Sequence, residues 1–140
     1  MRYLGIDLGS KRIGLALGDA KGLVTPLKVL TAGASMERNA HLVLEVADEY
    51  GADEIVIGLP LNMDDTEGPQ ARPSRQLAEA IHQLGGPPVH LHDERLSSHA
   101  ADARLRERDL TRGQKKTRQD ALAAQCILQS FVEHKNESTT

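Results

Sequence analysis

The stretch of sequence that decides the fold is RYLGIDLGSKRIGLALG, residues 2–18. Side chains of a strand alternate between its two faces, so this stretch predicts a hairpin of two strands, 2–8 and 12–18, that turns through 9–11. One face of the predicted hairpin is apolar: Leu4, Ile6, Leu8, Ile13, Leu15 and Leu17. The other face carries one carboxylate among mostly small residues: Tyr3, Gly5, Asp7, Gly9, Gly14, Ala16 and Gly18.

Asp7 is therefore predicted to lie on a strand face that is almost bare. An exposed strand face usually carries Thr, Lys or Glu rather than several glycines. Glycine weakens a strand interior and often marks a place where a ligand or another backbone comes close. The bare face thus predicts close packing or binding beside Asp7, and the alternative is an Asp that faces solvent on an open sheet.

The remaining segments predict one α/β domain. Residues 23–30 predict a third strand, at a sheet edge because of Pro26. The later predicted elements are a helix over 37–50 ended by Gly51, a strand over 54–59, a polar loop over 60–70, a helix with Pro73 in its first turn, a strand over 89–93, a helix from Ser97 or Ser98 to about 108, and a helix from Thr117 to about Glu133. This order predicts a mixed sheet, with three antiparallel strands and then two parallel strands, and helices on both faces. We expect a single domain over 1–134 and a flexible tail over 135–140.

Composition limits the class of protein. The single cysteine, Cys126, excludes a disulfide within the chain, which fits a reducing cytosol. The chain runs directly into a strand, and no apolar run approaches the roughly 18 residues that a membrane span needs. We expect a soluble, cytoplasmic protein.

Positive charge is concentrated in one segment, although the whole chain has a net charge of −3. Residues 95–118 contain eight basic and three acidic residues, a local charge of +5. A local basic strip on an acidic protein can neutralise phosphates, although a solvated helix face gives the same pattern. The chain has two Tyr, one Phe and no Trp, so nucleic-acid binding led by base stacking is not expected.

Two further acids are candidates to act with Asp7. Glu94 directly follows the strand 89–93, and open α/β sheets place their ligands at the carboxyl ends of strands. Asp120 shares a helical stripe with Ala124 and Ile127, so it is predicted to point toward the sheet. The alternative for Asp120 is a capping box that begins at Thr117.

Three clustered carboxylates without cysteine favour a hard divalent cation, Mg²⁺ or Mn²⁺. A cation would allow neighbouring carboxylates to stay ionised. Two such ions about 3.5–4 Å apart can activate a water and stabilise the leaving oxygen in phosphodiester hydrolysis. The acids therefore predict nuclease chemistry.

Two other patterns are weaker. His90, His92 and His99 could supply ligands to zinc, yet no second ligand cluster of suitable spacing appears in the sequence. The loop Asn62–Thr66 could bind a phosphate or a sugar, and an acidic surface loop is the simpler interpretation.

Four segments, in order along the chain, carry a resemblance to a known family. They are GIDLGSKRIG at 5–14, IGLPLNM at 57–63, DERLS at 93–97 and DALAA at 120–124. Over nearly its whole length the chain resembles the YqgF (RuvX) family of small bacterial proteins. These have an RNase H-like, RuvC-related fold and are described as pre-16S rRNA nucleases or Holliday junction resolvases. Asp65 departs from the family pattern, which commonly has glycine after Asn-Met-Asp.

The resemblance implies a metal-dependent endonuclease that holds Mg²⁺ or Mn²⁺ on Asp7, Glu94 and Asp120. The candidate phosphate contacts are the nearby basic residues Lys11, Arg12, Arg95, Lys115, Lys116 and Arg118. The resemblance points to the 5′ end of pre-16S rRNA as substrate, with four-way junction DNA as the alternative. We expect a monomer or weak homodimer.

Two other classes of function stay open from the sequence. One is a non-catalytic RNA- or protein-binding factor on a nuclease fold. The other is a nucleotide-binding domain similar to those of sugar kinases and actin-like ATPases, in which the hairpin around Asp7 would bind phosphate. Such proteins need two domains of this kind around the nucleotide.

Overall fold

The computed structural model describes residues 1–62, 64–96 and 112–138, with side chains of the last segment described over 121–136. Its elements are β1 (Arg2–Leu8), β2 (Arg12–Asp19), β3 (Val24–Thr31), α1 (Met36–Tyr50), β4 (Glu54–Leu59), α2 (Ala71–Gln83), β5 (Val89–Asp93), a 3₁₀ turn (Glu94–Leu96) and α3 (Arg112–Ser138). In the described part of the chain, no helix is long and apolar enough to cross a membrane.

The five strands form one mixed sheet in the order β3-β2-β1-β4-β5. β1 pairs antiparallel with β2 and parallel with β4, and β5 extends the parallel half. The predicted α/β class and strand directions are confirmed. β3 is an edge strand, as Pro26 indicated, and its pairing with β2 is irregular at Leu15 and Ala16, opposite Lys28 and Pro26.

The apolar face of the β1–β2 hairpin forms the main core. Leu4, Ile6, Ile13 and Leu15 are fully buried in one cluster with residues of α1, β4 and α2. α1 begins at the N-cap Ser35, whose side chain accepts from the Arg38 backbone N–H, and ends at Gly51 in the left-handed conformation (φ 66°). These are the start and stop signals expected of an amphipathic helix.

The bare face of the hairpin is covered by α3. A Cβ placed on Gly5 would lie 2.7 Å from Leu128 Cβ and 3.1 Å from the Ala124 carbonyl oxygen, so no other residue fits there without a shift of the helix. Farther along α3, Phe131 contacts the Tyr3 ring edge-on, with centroids 5.6 Å apart. The prediction of close packing on this face is confirmed, and α3 runs antiparallel to β1.

α2 spans Ala71–Gln83 with Pro73 in its first turn, as predicted, whereas the bounds of α3 require two corrections. α3 begins at Arg112, so Thr117 lies inside the helix and the capping box that begins there is excluded. α3 also continues to Ser138, so residues 135–138 of the predicted tail are helical, and Lys135 Nζ donates to Tyr3 Oη at 3.0 Å. The helix predicted from Ser97 or Ser98 lies outside the described residues.

Candidate active site

Asp7 lies in a row of positions that crosses the sheet on the face covered by α3. Asp7 pairs with Gly14 of β2. On its other side, the register of Ile6 with Ile57 places Gly58 of β4 next to it, and Gly58 pairs with His92 of β5. A glycine therefore flanks the carboxylate on each side.

Glu94 reaches into the space that the missing side chain of Gly58 leaves. A Cβ on Gly58 would lie 2.6 Å from Glu94 Oε1, 2.9 Å from Glu94 Cγ and 2.6 Å from Ile127 Cδ1. The Glu94 side chain thus passes directly over β4, toward Asp7. Glycine at this position is a requirement of the site, because any larger residue would occupy the volume of the carboxylate.

The two carboxylates interact strongly. Burial, followed by the charge of Asp7 and a hydrogen bond with Asp7, raises the pKa of Glu94 to about 7. A buried acid beside another acid holds its proton unless a cation compensates the second charge. The structure brings Asp7 and Glu94 together, and their role in holding a metal stays a prediction.

The metal-free protein is expected to lose stability as the pH rises from about 4.5 to about 7. The pKa of Glu94 lies above the ordinary value of 4.5 only in the folded chain, so in this window the folded state binds more protons and the free energy of unfolding falls with pH. The loss is on the order of 3 kcal/mol and is complete above the folded-state pKa.

Denaturant titrations in EDTA, from pH 4.5 to 8, measure this loss in the wild type and in Glu94→Gln. The difference between the two profiles isolates Glu94 from other groups. Arg95 lowers the pKa of Asp93, so the titration of Asp93 affects stability only at a lower pH. Superimposable profiles of the two proteins would contradict the coupled acid pair.

The third predicted acid, Asp120, lies in α3, one turn before Ala124. Its side chain is outside the described side chains, so its predicted role stays a prediction. Among the described side chains, no group of three or more His, Cys, Asp or Glu residues forms a metal cluster.

The basic residues proposed to contact phosphate divide into three groups. Lys11 and Arg12 lie at the β1–β2 turn, immediately after the strand that carries Asp7. Arg95 follows Glu94, and its guanidinium is bound by carboxylates: Nη2 lies 2.7 Å from Asp93 Oδ2 and 2.7 Å from Asp65 Oδ1. The side chains of Lys115, Lys116 and Arg118 are outside those that the structure describes.

The histidines of β5 have structural partners. His90 Nε2 lies 2.5 Å from Glu54 Oε1, and the His90 ring packs against Phe131.

His92 is buried, which lowers its pKa. His92 Nε2 lies 2.9 Å from Ser130 Oγ, which donates to the Leu96 carbonyl oxygen at 3.1 Å. Ser130 of α3 thus bonds both His92 of β5 and the turn that carries Glu94, a role the sequence did not reveal, and His99 lies outside the described residues.

The loop after β4 is a compact turn. The Asn62 N–H donates to the Thr66 carbonyl oxygen at 2.8 Å, and the Asp65 N–H donates to the Asn62 carbonyl oxygen at 3.0 Å. Asp65 is in the left-handed conformation (φ 71°), and among the described residues no other non-glycine has a positive φ. This conformation explains why glycine suits the position.

A groove of about 1220 Å³ lies apart from the acids, along α2 and the outer side of β5. Its lining includes Gln76, His82 and Pro88. Val89 and Leu91, which line the same groove, point to the opposite face of β5 from His92. Asp7 and Glu94 therefore lie outside this groove, near the carboxyl ends of β1 and β5.

Comparison with known proteins gives consistent matches over the whole chain. Residues 1–134 match the model of the RuvX family, described as Holliday junction resolvase. A protein of Anaeromyxobacter sp. (strain K) named "Putative pre-16S rRNA nuclease" is 45% identical over 136 residues, which cover 96% of this chain and 98% of the relative. A protein of Myxococcus xanthus with the same name is 41% identical, covering 95% and 88%.

Among solved structures, T. thermophilus RuvC in complex with a Holliday junction substrate has a TM-score of 0.65. It is 15% identical in sequence, and the match covers 99% of this chain and 98% of RuvC. At this identity the likeness concerns the fold. The fold is RuvC-like, as the sequence predicted.

Proposed function

This chain belongs to the RuvX family, and on that basis we propose that it is a metal-dependent endonuclease that processes the 5′ end of pre-16S rRNA. The family match and the names of relatives above 40% identity support a nuclease that acts on this RNA. The observation that carries the chemistry is the pair Asp7–Glu94 over Gly58, with the pKa of Glu94 raised to about 7. Such a nuclease would act in the bacterial cytoplasm.

The donor set fits a hard divalent cation. Asp7 and Glu94 supply carboxylate oxygens, the ligands that Mg²⁺ and Mn²⁺ prefer. Burial and the neighbouring charge of Asp7 raise the pKa of Glu94, and a bound cation would favour the ionised form of both carboxylates. When bound, Mg²⁺ or Mn²⁺ would activate a water and stabilise the leaving oxygen of the phosphodiester, with one or two ions present.

The course of α3 supports Asp120 as the third ligand. Asp120 precedes Ala124 by one helical turn, about 6 Å along the axis. Asp7 follows Gly5 by two strand residues, about 6.6 Å. Because Ala124 packs on Gly5 and the two elements are antiparallel, we expect position 120 beside Asp7.

Two further groups of residues would position these acids and the substrate. Ser130 of α3 bonds both His92 of β5 and the turn that carries Glu94. Lys11 and Arg12, at the end of the hairpin beside Asp7, are placed to attract a phosphate backbone. Lys115, Lys116 and Arg118 precede Asp120 on α3 and would extend this positive strip.

Four-way junction DNA is the second candidate substrate, because the matching RuvC structure holds a Holliday junction. Symmetric resolution of a junction requires two active sites, so this function predicts a homodimer. The names of the relatives above 40% identity favour RNA.

A cleavage assay on three labelled substrates tests the proposal: a pre-16S rRNA 5′ leader, a synthetic four-way junction and a single-stranded RNA of unrelated sequence. Each substrate is incubated with Mg²⁺, with Mn²⁺ and with EDTA. We expect cleavage of the leader with either metal and none with EDTA. Binding of the leader without cleavage under all conditions would instead favour the non-catalytic factor, and selective cleavage of the junction would favour resolvase activity.

A further inference from the structure

Arg95 follows Glu94 in the chain, and its guanidinium is held by two carboxylates of different character. Asp93 binds it through both oxygens: Arg95 Nε lies 3.0 Å and 3.1 Å from Oδ1 and Oδ2, and Nη2 lies 2.7 Å from Oδ2. Asp65 binds the outer side, with Arg95 Nη2 2.7 Å from Oδ1. Arg95 therefore links β5 to the loop after β4.

The two carboxylates differ in exposure. The Asp93 side chain is 21% exposed, whereas the Asp65 side chain is 83% exposed. Asp93, the last residue of β5, is thus a fixed inner partner. Asp65 is an outer partner, and an ion pair in this exposure is weak enough to exchange with another anion.

Asp65 is presented to Arg95 by the turn itself. Arg95 Nη1 donates to the Asn62 carbonyl oxygen at 2.9 Å, and the same oxygen accepts from the Asp65 N–H. The left-handed backbone of Asp65 (φ 71°) is one that Asp and Asn tolerate better than most residues. The turn therefore keeps the carboxylate at the outer side of the guanidinium.

A phosphate and a carboxylate compete for the same N–H donors of arginine. Because Arg95 is adjacent to Glu94, a phosphodiester seated at the acids would have neighbouring phosphates within reach of this guanidinium. We propose that Asp65 occupies the phosphate-binding side of Arg95 and thereby sets the affinity for nucleic acid, and that substrate binding exchanges the Asp65 carboxylate for a backbone phosphate. This inference rests on the proposed function.

The exchange predicts a specific energetic coupling. Removing the Asp65 charge frees Arg95 for phosphate, so nucleic acid should bind more tightly. An exposed ion pair is worth up to a factor of about five in binding. One additional phosphate contact should steepen the salt dependence of log K by about 0.7 to 0.9. Both effects require Arg95.

The test is a double-mutant cycle read by fluorescence anisotropy. The probe is the labelled pre-16S 5′ leader with Ca²⁺ in place of Mg²⁺, so that binding is measured without turnover, and the proteins are the full-length wild type, Asp65→Asn, Arg95→Gln and the double variant. Asn retains the left-handed backbone and removes the charge. We expect Asp65→Asn to tighten binding about two- to fivefold in the wild-type background, with a steeper salt dependence.

Asp64→Asn is the matched control, since Asp64 lies in the same turn and its carboxylate accepts from Thr66. In the Arg95→Gln background, Asp65→Asn should have no greater effect than Asp64→Asn. Equal effects of Asp65→Asn in both backgrounds, or none in either, would overturn the exchange while the wild type still binds and the proposed function stands. A folded wild type that binds neither leader nor junction would overturn both.

Discussion

Asp7→Asn is expected to reduce cleavage by about three orders of magnitude while the chain stays folded. Asn has nearly the same shape as Asp but lacks the charge that the Mg²⁺ or Mn²⁺ site needs. The loss of several kcal/mol of charge stabilisation corresponds to about this factor, at about 1.4 kcal/mol per factor of ten. The substitution also removes the repulsion with Glu94, so the metal-free melting temperature should be unchanged or higher.

The measurement is the rate of leader cleavage with Mg²⁺ and with Mn²⁺, together with a thermal melt in EDTA. Asp48→Asn is the matched control, because it is the same chemical change at an exposed position on α1, which packs on the other face of the sheet. We expect wild-type activity from the control. A folded Asp7→Asn protein that cleaves within tenfold of the wild type in a metal-dependent manner would contradict the site.

Gly58→Ala should reduce cleavage by about a hundredfold with only a moderate loss of stability. The new Cβ would lie 2.6 Å from Glu94 Oε1 and 2.6 Å from Ile127 Cδ1. Both are ends of flexible side chains, so the fold can adapt by moving them. A shift of about 1 Å in a catalytic group can cost a factor of about 100 in rate, whereas overpacking costs about 1–3 kcal/mol of stability.

Gly86→Ala is the control that distinguishes the effect of displacing Glu94 from the effect of a steric clash elsewhere in the protein. A Cβ there would lie 2.7 Å from Ile81 Cγ2 and 2.8 Å from Leu44 Cδ2, a comparable clash on the face away from the acids. The two variants should lose a similar amount of unfolding free energy in denaturant titrations, and only Gly58→Ala should lose most of its activity. Equal activity of the two would show that the position of Glu94 over β4 is not required.

Much of the fold could be predicted because its strands have clear periods and clear ends. The bounds of β1, β4 and β5 coincide with those predicted, since each strand is a short alternating or continuous apolar run next to Gly, Asp or Pro. The prediction that another element covers the bare face followed from its glycines, because the missing side chains leave room for the α3 backbone. The partner of this face followed from the stripe of Asp120, Ala124 and Ile127, which the sequence predicts to point toward the sheet.

Other features depend on contacts that the sequence does not encode locally. The first turns of α3 contain charged residues without an apolar period, and Thr117 imitates a cap within the helix. Lys135, near the end of α3, donates to Tyr3, more than a hundred residues away in the chain.

The site was likewise predicted in part. Asp7 and Glu94 come together because each ends a strand of the same sheet. The position of the Glu94 side chain over Gly58 was indicated in the sequence only by a glycine inside the apolar strand β4. The pairing of Arg95 with Asp65 had none, because it joins a turn residue to a residue 30 positions later.

The central claim is that Asp7, Glu94 and Asp120 together hold a divalent cation. A crystal of the full chain grown with Mn²⁺ tests it most directly, by anomalous diffraction at the manganese edge. We predict at least one anomalous peak in contact with all three carboxylates, on the face of the sheet that α3 covers. A metal-loaded crystal with no peak between Asp7 and Glu94, or with the Asp120 carboxylate turned away from them, would contradict the account.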